Sequence, residues 1–129
     1  MDLADRYAAY LAVLNERRFD DLDQFVHDEL TYNDEPITRQ QYRDLIEGDV
    51  ATIPDLTFTI VGLVVQDDDV ASRLLFDCTP VAEFRGCPPT GRPIRFTENV
   101  FYRFRDGRIA NVWSLIDNDA IRAQLTARR

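Results

Sequence analysis

The sequence predicts an α+β domain, with helices first and then a four-strand antiparallel meander, the helices packed on one face of a curved sheet. Three observations carry this prediction. Apolar residues at helical spacing fill the first half of the chain and return only in a short closing stretch. Beyond Pro54 the runs turn strand-like, β-branched and alternating. Near the end, Asp106-Gly107 joins two long strand-like runs, a strong hairpin signal.

Taken in order, Leu3, Tyr7, Tyr10, Leu11 and Leu14 give a helix over residues 3–15, with Asp2 as its N-cap. Asp20 opens a short second helix with Leu22, Phe25 and Val26 on its apolar edge. Leu30 to Asn33 is a brief strand at most, ended by Pro36. Thr38-Arg39-Gln40-Gln41 fits a capping box for a third helix, with Tyr42, Leu45 and Ile46 inward. Leu56 to Gln66 is the first strand of the meander, followed by a polar turn at Asp67-Asp68-Asp69. Val70 to Arg85 is a long strand bulged near Pro80, since proline cannot donate to the ladder. Residues 86–91 form a loop, and Asp117 to Arg129 closes the chain as a short polar helix with Ile121 and Leu125 inward.

The hairpin between Arg92 and Asp117 organises the rest. Its turn reads as a three-residue loop, Arg105-Asp106-Gly107, with Gly107 left-handed in a bulged turn. Alternation then places Ile94, Phe96, Glu98, Val100, Tyr102 and Phe104 on one face of the first strand. The expected register sets Val100 opposite Val112 and Glu98 opposite Ser114, leaving Phe101, Trp113 and Leu115 to point outward. A two-residue turn would shift the register by one and reverse the faces of the second strand. Glu98 is a lone carboxyl in an apolar stripe. It is a functional group, or it reaches water at a sheet end or pairs with an arginine. The final strand is apolar on both faces, and helices can cover only one. A homodimer through the outer sheet face follows as an expectation.

The chain has 129 residues, which fits one domain spanning 1–129. Formal net charge is −8, from 15 basic and 23 acidic residues, and this lacks the footprint of a nucleic-acid binder. Anionic membranes are disfavoured for the same reason. No apolar run approaches the roughly 18 residues of a membrane span. The acidic start MDLADRYAAY is unlike a signal peptide and points to the cytoplasm. Cys78 and Cys87 are expected as free thiols, because extended chain would hold them about 30 Å apart at about 3.3 Å per residue. His27 is the only histidine, which excludes a multi-histidine metal site, and it is expected as an exposed residue at the end of the second helix. The aspartates at 67–69 lack the spacing of a calcium loop, so no metal is expected.

Three stretches resemble the nuclear-transport-factor-2-like superfamily, in particular its SnoaL-like and ketosteroid-isomerase-like domains. They are YLAVLNERRFDDLDQFVHDELTYND, EFRGCPPTGRPIRF and FYRFRDGRIANVWSLID. The resemblance implies a cone-shaped curved antiparallel sheet with three N-terminal helices on its concave face. YLAVLN is similar to the isomerase helix whose tyrosine donates to the enolate oxygen, which implies Tyr10. YNDEP is similar to the segment bearing the general base, which implies Asp34; as a turn residue Asp34 would instead bond its own backbone. The isomerase's second acid falls at Val100, two residues beyond Glu98. Where cyclases carry an acid after the hairpin tryptophan, this chain has Ser114, and where they often carry a histidine before it, Val112.

Asp34, Glu98 and Tyr10 form the expected catalytic set, with Tyr32, Phe96, Val100, Val112 and Ser114 binding the substrate. A buried aspartate could remove a proton beside a carbonyl while a tyrosine or a protonated Glu98 donates to the enolate oxygen. The expected activity is that of a cofactor-independent acid–base enzyme, isomerase or cyclase in type, acting on a small apolar carbonyl or polyketide-like compound. The alternative is a non-catalytic dimeric domain that binds a small hydrophobic ligand or another protein.

Overall fold

The computed structural model describes residues 2–127. Helix α1 covers Leu3–Asn15, its first turn capped by the Asp2 carboxylate accepting from the Asp5 amide. A 3₁₀ turn follows at Phe19–Gln24. Helix α2 runs Arg39–Thr52 from a complete capping box, in which Thr38 and Gln41 bond each other's backbone amides. Helix α3 covers Asn118–Leu125; the predicted continuation to residues 128 and 129 lies outside the described residues.

The strands are β1 Val26–Tyr32, β2 Glu35–Thr38, β3 Thr59–Gln66, β4 Asp69–Cys78, β5 Ile94–Arg105 and β6 Arg108–Ile116. Among the described residues they form one six-stranded sheet in the order β2-β1-β6-β5-β4-β3. All neighbours are antiparallel except β1 and β6, which are parallel. The fold class is therefore α+β as predicted, with helices on one side of the sheet, but the meander is extended by a β1–β2 hairpin. Val26, expected in the second helix, begins β1, and His27 lies in that strand, with a ring nitrogen 2.7 Å from the Arg105 carbonyl oxygen. Pro36 does not end the strand segment: β2 is an edge strand, where a missing amide costs no ladder bond.

The β5–β6 hairpin corrects the expected turn and register. The loop has two residues, Asp106 (φ 54°) and Gly107 (φ 78°), in the left-handed conformations that suit a tight hairpin. Arg105 pairs with Arg108 and Phe104 with Ile109, but Arg103 pairs with Asn111. Ala110 is thus an extra residue. Turn and bulge together slide β6 by two positions from the expected register, setting Val100 opposite Ser114 and Glu98 opposite Ile116. A slide of two preserves which face each side chain occupies. Val112 is buried, while Phe101 is 57% and Leu115 72% exposed.

Strand β4 ends at Cys78 rather than at Arg85, and the chain to Pro93 is largely irregular. The long separation inferred for the cysteines therefore had no strand behind it. Both thiols are nonetheless free and buried, and burial pushes Cys78 up to about 12. At the other end of the sheet β6 stops at Ile116, and α3 takes its place. The Gln124 amide accepts from the Arg95 N–H at 2.8 Å and donates to its carbonyl at 2.6 Å, as a neighbouring strand would.

The core lies between helices and sheet. Tyr7, Tyr10 and Leu14 from α1 meet Val70, Leu74, Val100, Tyr102 and Ile109 from the sheet. Tyr7 and Tyr102 rings pack 5.1 Å apart. The opposite face of the sheet exposes Val64, Phe101 and Leu115, which the register sets on that side. No helix among the described residues is long and apolar enough to cross a membrane.

Candidate active site

A cavity of about 80 Å³ opens between α1, α2 and the helix-facing side of the sheet. Its interior is apolar: Leu14, Ile46, Ile53, Phe76, Phe96 and Val112 line it. Four tyrosines, Tyr10, Tyr32, Tyr42 and Tyr102, and the acidic residue Glu98 also line it. Strand alternation explains the sheet side, since Phe96, Glu98, Val100 and Tyr102 sit two residues apart on β5.

Glu98 is half-buried, facing Leu74 across β4 and Ile116 across β6. Its carboxyl accepts a hydrogen bond from the Ser114 hydroxyl. Loss of water raises its pKa above the ordinary value; the Ser114 bond opposes this, the nearby Asp49 charge adds to it, and the Arg85 charge opposes it. The other named polar groups stay protonated. Tyr10 and Tyr42 are buried with hydroxyls 2.6 Å apart, and burial raises both. Tyr32 and Tyr102 are raised by burial too.

Of the expected site residues, Tyr10, Tyr32, Phe96, Glu98, Val100 and Val112 all line this cavity. Ser114 reaches it through Glu98. Asp34 does not come to the cavity, a correction to the expected pair of carboxyls. It sits exposed in the β1–β2 turn, where Asn33 (φ 49°) and Asp34 (φ 69°) are both left-handed. Asn and Asp adopt that conformation most readily after glycine. The Asp34 carboxylate accepts from Trp113 Nε1 at 3.0 Å, and Asn33 Oδ1 accepts from the Ser114 amide at 2.8 Å. These bonds pin the hairpin turn to β6. Asp34 is thus a turn residue that also anchors a tryptophan.

The second carboxyl of the cavity is Asp49, on α2, which sequence reasoning missed. It stands at the mouth, open to solvent on one side and to the cavity wall on the other. Partial loss of water raises its pKa, and the Arg85 charge opposes the rise. A signal was present: Tyr42, Ile46, Asp49 and Ile53 follow helical spacing, so Asp49 interrupts an apolar stripe as Glu98 does. Leu45, expected inward, is 50% exposed at the same mouth. Arg85, on the loop after β4, completes the rim, and no periodic pattern marks it in the sequence. No group of three His, Cys, Asp or Glu side chains among the described residues could hold a metal ion.

This combination defines a class: an α+β cone of the nuclear-transport-factor-2-like type, with an acidic, tyrosine-rich cavity between helices and sheet. The chain belongs to the SnoaL-like polyketide cyclase family, whose model matches residues 4–125. It is similar in structure to a SnoaL-like polyketide cyclase from Agrobacterium tumefaciens, at 44% identity and TM-score 0.93, covering 97% of this chain and 98% of that one. It is also similar to IdmH from Streptomyces antibioticus (28%, TM-score 0.87, covering 98% and 100%). TsrD from Streptomyces laurentii aligns at 26% identity and TM-score 0.83, covering 98% and 93%. No curated protein matches the chain.

Proposed function

We propose that the cavity is the active site of a cofactor-independent acid–base enzyme, isomerase or cyclase in type, acting on a small apolar carbonyl or polyketide-like compound. The observation that carries this reading is Glu98: a carboxyl with a raised pKa inside an apolar cavity, beside hydroxyl donors. Glu98 takes the base role that the sequence suggested for Asp34. As carboxylate it removes a proton from the carbon next to the substrate carbonyl. The developing enolate oxygen accepts from the Tyr10–Tyr42 hydroxyl pair, whose pKa values keep both protonated at neutral pH. Glu98 then returns the proton at another carbon, which isomerises the substrate. Alternatively the enolate carbon attacks a second carbonyl, whose C=O π bond breaks as the new carbon–carbon bond closes a ring, and the resulting alkoxide oxygen takes the proton back from Glu98. The Asp49 charge adds to the rise that desolvation produces at Glu98.

A volume of about 80 Å³ lies well below the roughly 300 Å³ at which ligand pockets usually begin. A polyketide-sized substrate therefore enters only if the mouth at Leu45, Asp49 and Arg85 opens. The test uses 2-indanone in D₂O, following loss of its α-proton signals by NMR. Wild type accelerates exchange over buffer, and Glu98→Gln lowers the protein-dependent rate by about 100-fold. Equal rates in the two proteins would remove Glu98 from the role. No acceleration by wild type would favour the non-catalytic ligand-binding alternative.

We also infer that a second copy of the chain covers the outer sheet face. Leu115, Val64 and Phe101 are 72%, 65% and 57% exposed there, flanked by Trp113. An apolar face of this kind is the surface that subunit association buries.

A further inference from the structure

Arg85 is the arginine that lines the cavity among the described residues. Arg18, Arg39, Arg43 and Arg103 each pair with an acidic side chain within 4.0 Å. Arg85 makes no such pair among the described residues, although Glu98 and Asp49 line the same cavity. Its own position is built with care. Arg85 (φ 53°) and Gly86 (φ 81°) form a two-residue turn closed by reciprocal backbone bonds of 2.9 and 3.0 Å between Phe84 and Cys87. Phe84 and Cys87 are buried, so the turn is anchored by its ends and presents Arg85 at the rim. A left-handed arginine is unusual and is held only where surrounding structure demands it. The guanidinium lies 5.7 Å from the Phe84 ring centroid, a contact that keeps the charge near the opening.

We propose that Arg85 recognises a carboxylate on the ligand, so that the substrate class is an apolar carbonyl compound bearing an acidic group. The apolar part enters among the phenylalanines and tyrosines while the carboxylate stays at the mouth on the guanidinium. An anionic ligand at this opening would need such a cation. The protein carries a net charge of −8, and Asp49 and Glu98 both face the cavity. An anionic ligand meets repulsion from all of these, and Arg85 is the one basic residue lining the cavity among the described residues. Planar bidentate donation suits a carboxylate and gives little to an amide of the same shape.

This inference rests on the acid–base reading only for the cavity being the binding site. Its test is therefore binding rather than turnover. Benzoate and benzamide, equal in shape and different in charge, are titrated against wild type, Arg85→Met and Glu98→Gln by NMR chemical shifts. Wild type should prefer benzoate by about fivefold, a preference that shrinks with added salt. Arg85→Met should lose the preference while keeping its benzamide affinity within about twofold. Glu98→Gln should keep it, because that change removes a repelling charge. A preference equal in wild type and Arg85→Met overturns the proposal, as does wild type that shows no preference or binds neither probe. Loss of proton exchange in Glu98→Gln together with an unchanged benzoate preference in Arg85→Met would sink this inference and leave the acid–base reading standing.

Discussion

A carboxyl deprived of water is more easily protonated in the folded protein than in the unfolded chain, and for Glu98 this has a definite sign. Its folded pKa is raised above 4.5, so the native state binds more protons than the unfolded state between 4.5 and the raised value. Stability contributed by Glu98 therefore falls as pH rises through that window, and the penalty is complete above it. Glu98→Gln keeps an acceptor for the Ser114 hydroxyl and removes the charge. Thermal melts should show the variant gaining on wild type as pH rises from 4.5 to 8; a gap constant with pH would mean that Glu98 is not desolvated. Asp34 gives the opposite expectation. Because it bonds Trp113 at an exposed turn, Asp34→Asn should leave proton exchange within about twofold of wild type, far from the hundredfold loss typical of a removed general base. The two acids also show what the sequence could reveal. Glu98 announced itself by interrupting a period of two. Asp49 interrupts a helical period in the same way, hidden because Asp44 and Glu47 nearby make its helix look evenly charged. Asp34 drew attention by likeness of its segment to another, which says nothing about which way a turn directs its side chain.

At the scale of elements, α2 is the helix on which the site depends, since it carries Tyr42, Ile46 and Asp49. Its capping box ties the start of that helix to the end of β2. Thr38→Ala should cost about 1 kcal/mol in urea denaturation, a typical loss for a hydroxyl N-cap. A value near zero would show that tertiary packing alone fixes the helix start. Helices and the meander strands were legible because their apolar periods are clean. Strand β1 was not: Asp28 and Glu29 are adjacent and both exposed, and the β1–β6 pairing is irregular between Val26 and Thr31. Alternation breaks where the pairing breaks. In the β5–β6 hairpin the turn and the bulge at Ala110 each displace the register by one, and neither is visible in a hydrophobic pattern. Their sum is even, and so inside and outside were assigned correctly from a register that is two residues off.

For the whole molecule, the proposal to test is a dimer formed through the outer sheet face. Sedimentation at micromolar concentration should find a dimer, and Leu115→Arg should weaken association at least about tenfold while leaving the far-ultraviolet spectrum unchanged. A wild-type monomer would mean that this apolar face tolerates water. Whatever covers it, the alternation of β5 and β6 has a further consequence. Phe101 lies between Val100 and Tyr102, and Trp113 lies between Val112 and Ser114, so the β5 and β6 residues that line the cavity have immediate neighbours on the opposite surface. Variation at even-numbered positions of β5, and of β6 beyond the bulge at Ala110, alters what the cavity accepts; variation one position along alters what the surface meets. Two kinds of specificity can therefore drift separately within about twenty consecutive residues, each free of the other because a pleat divides them.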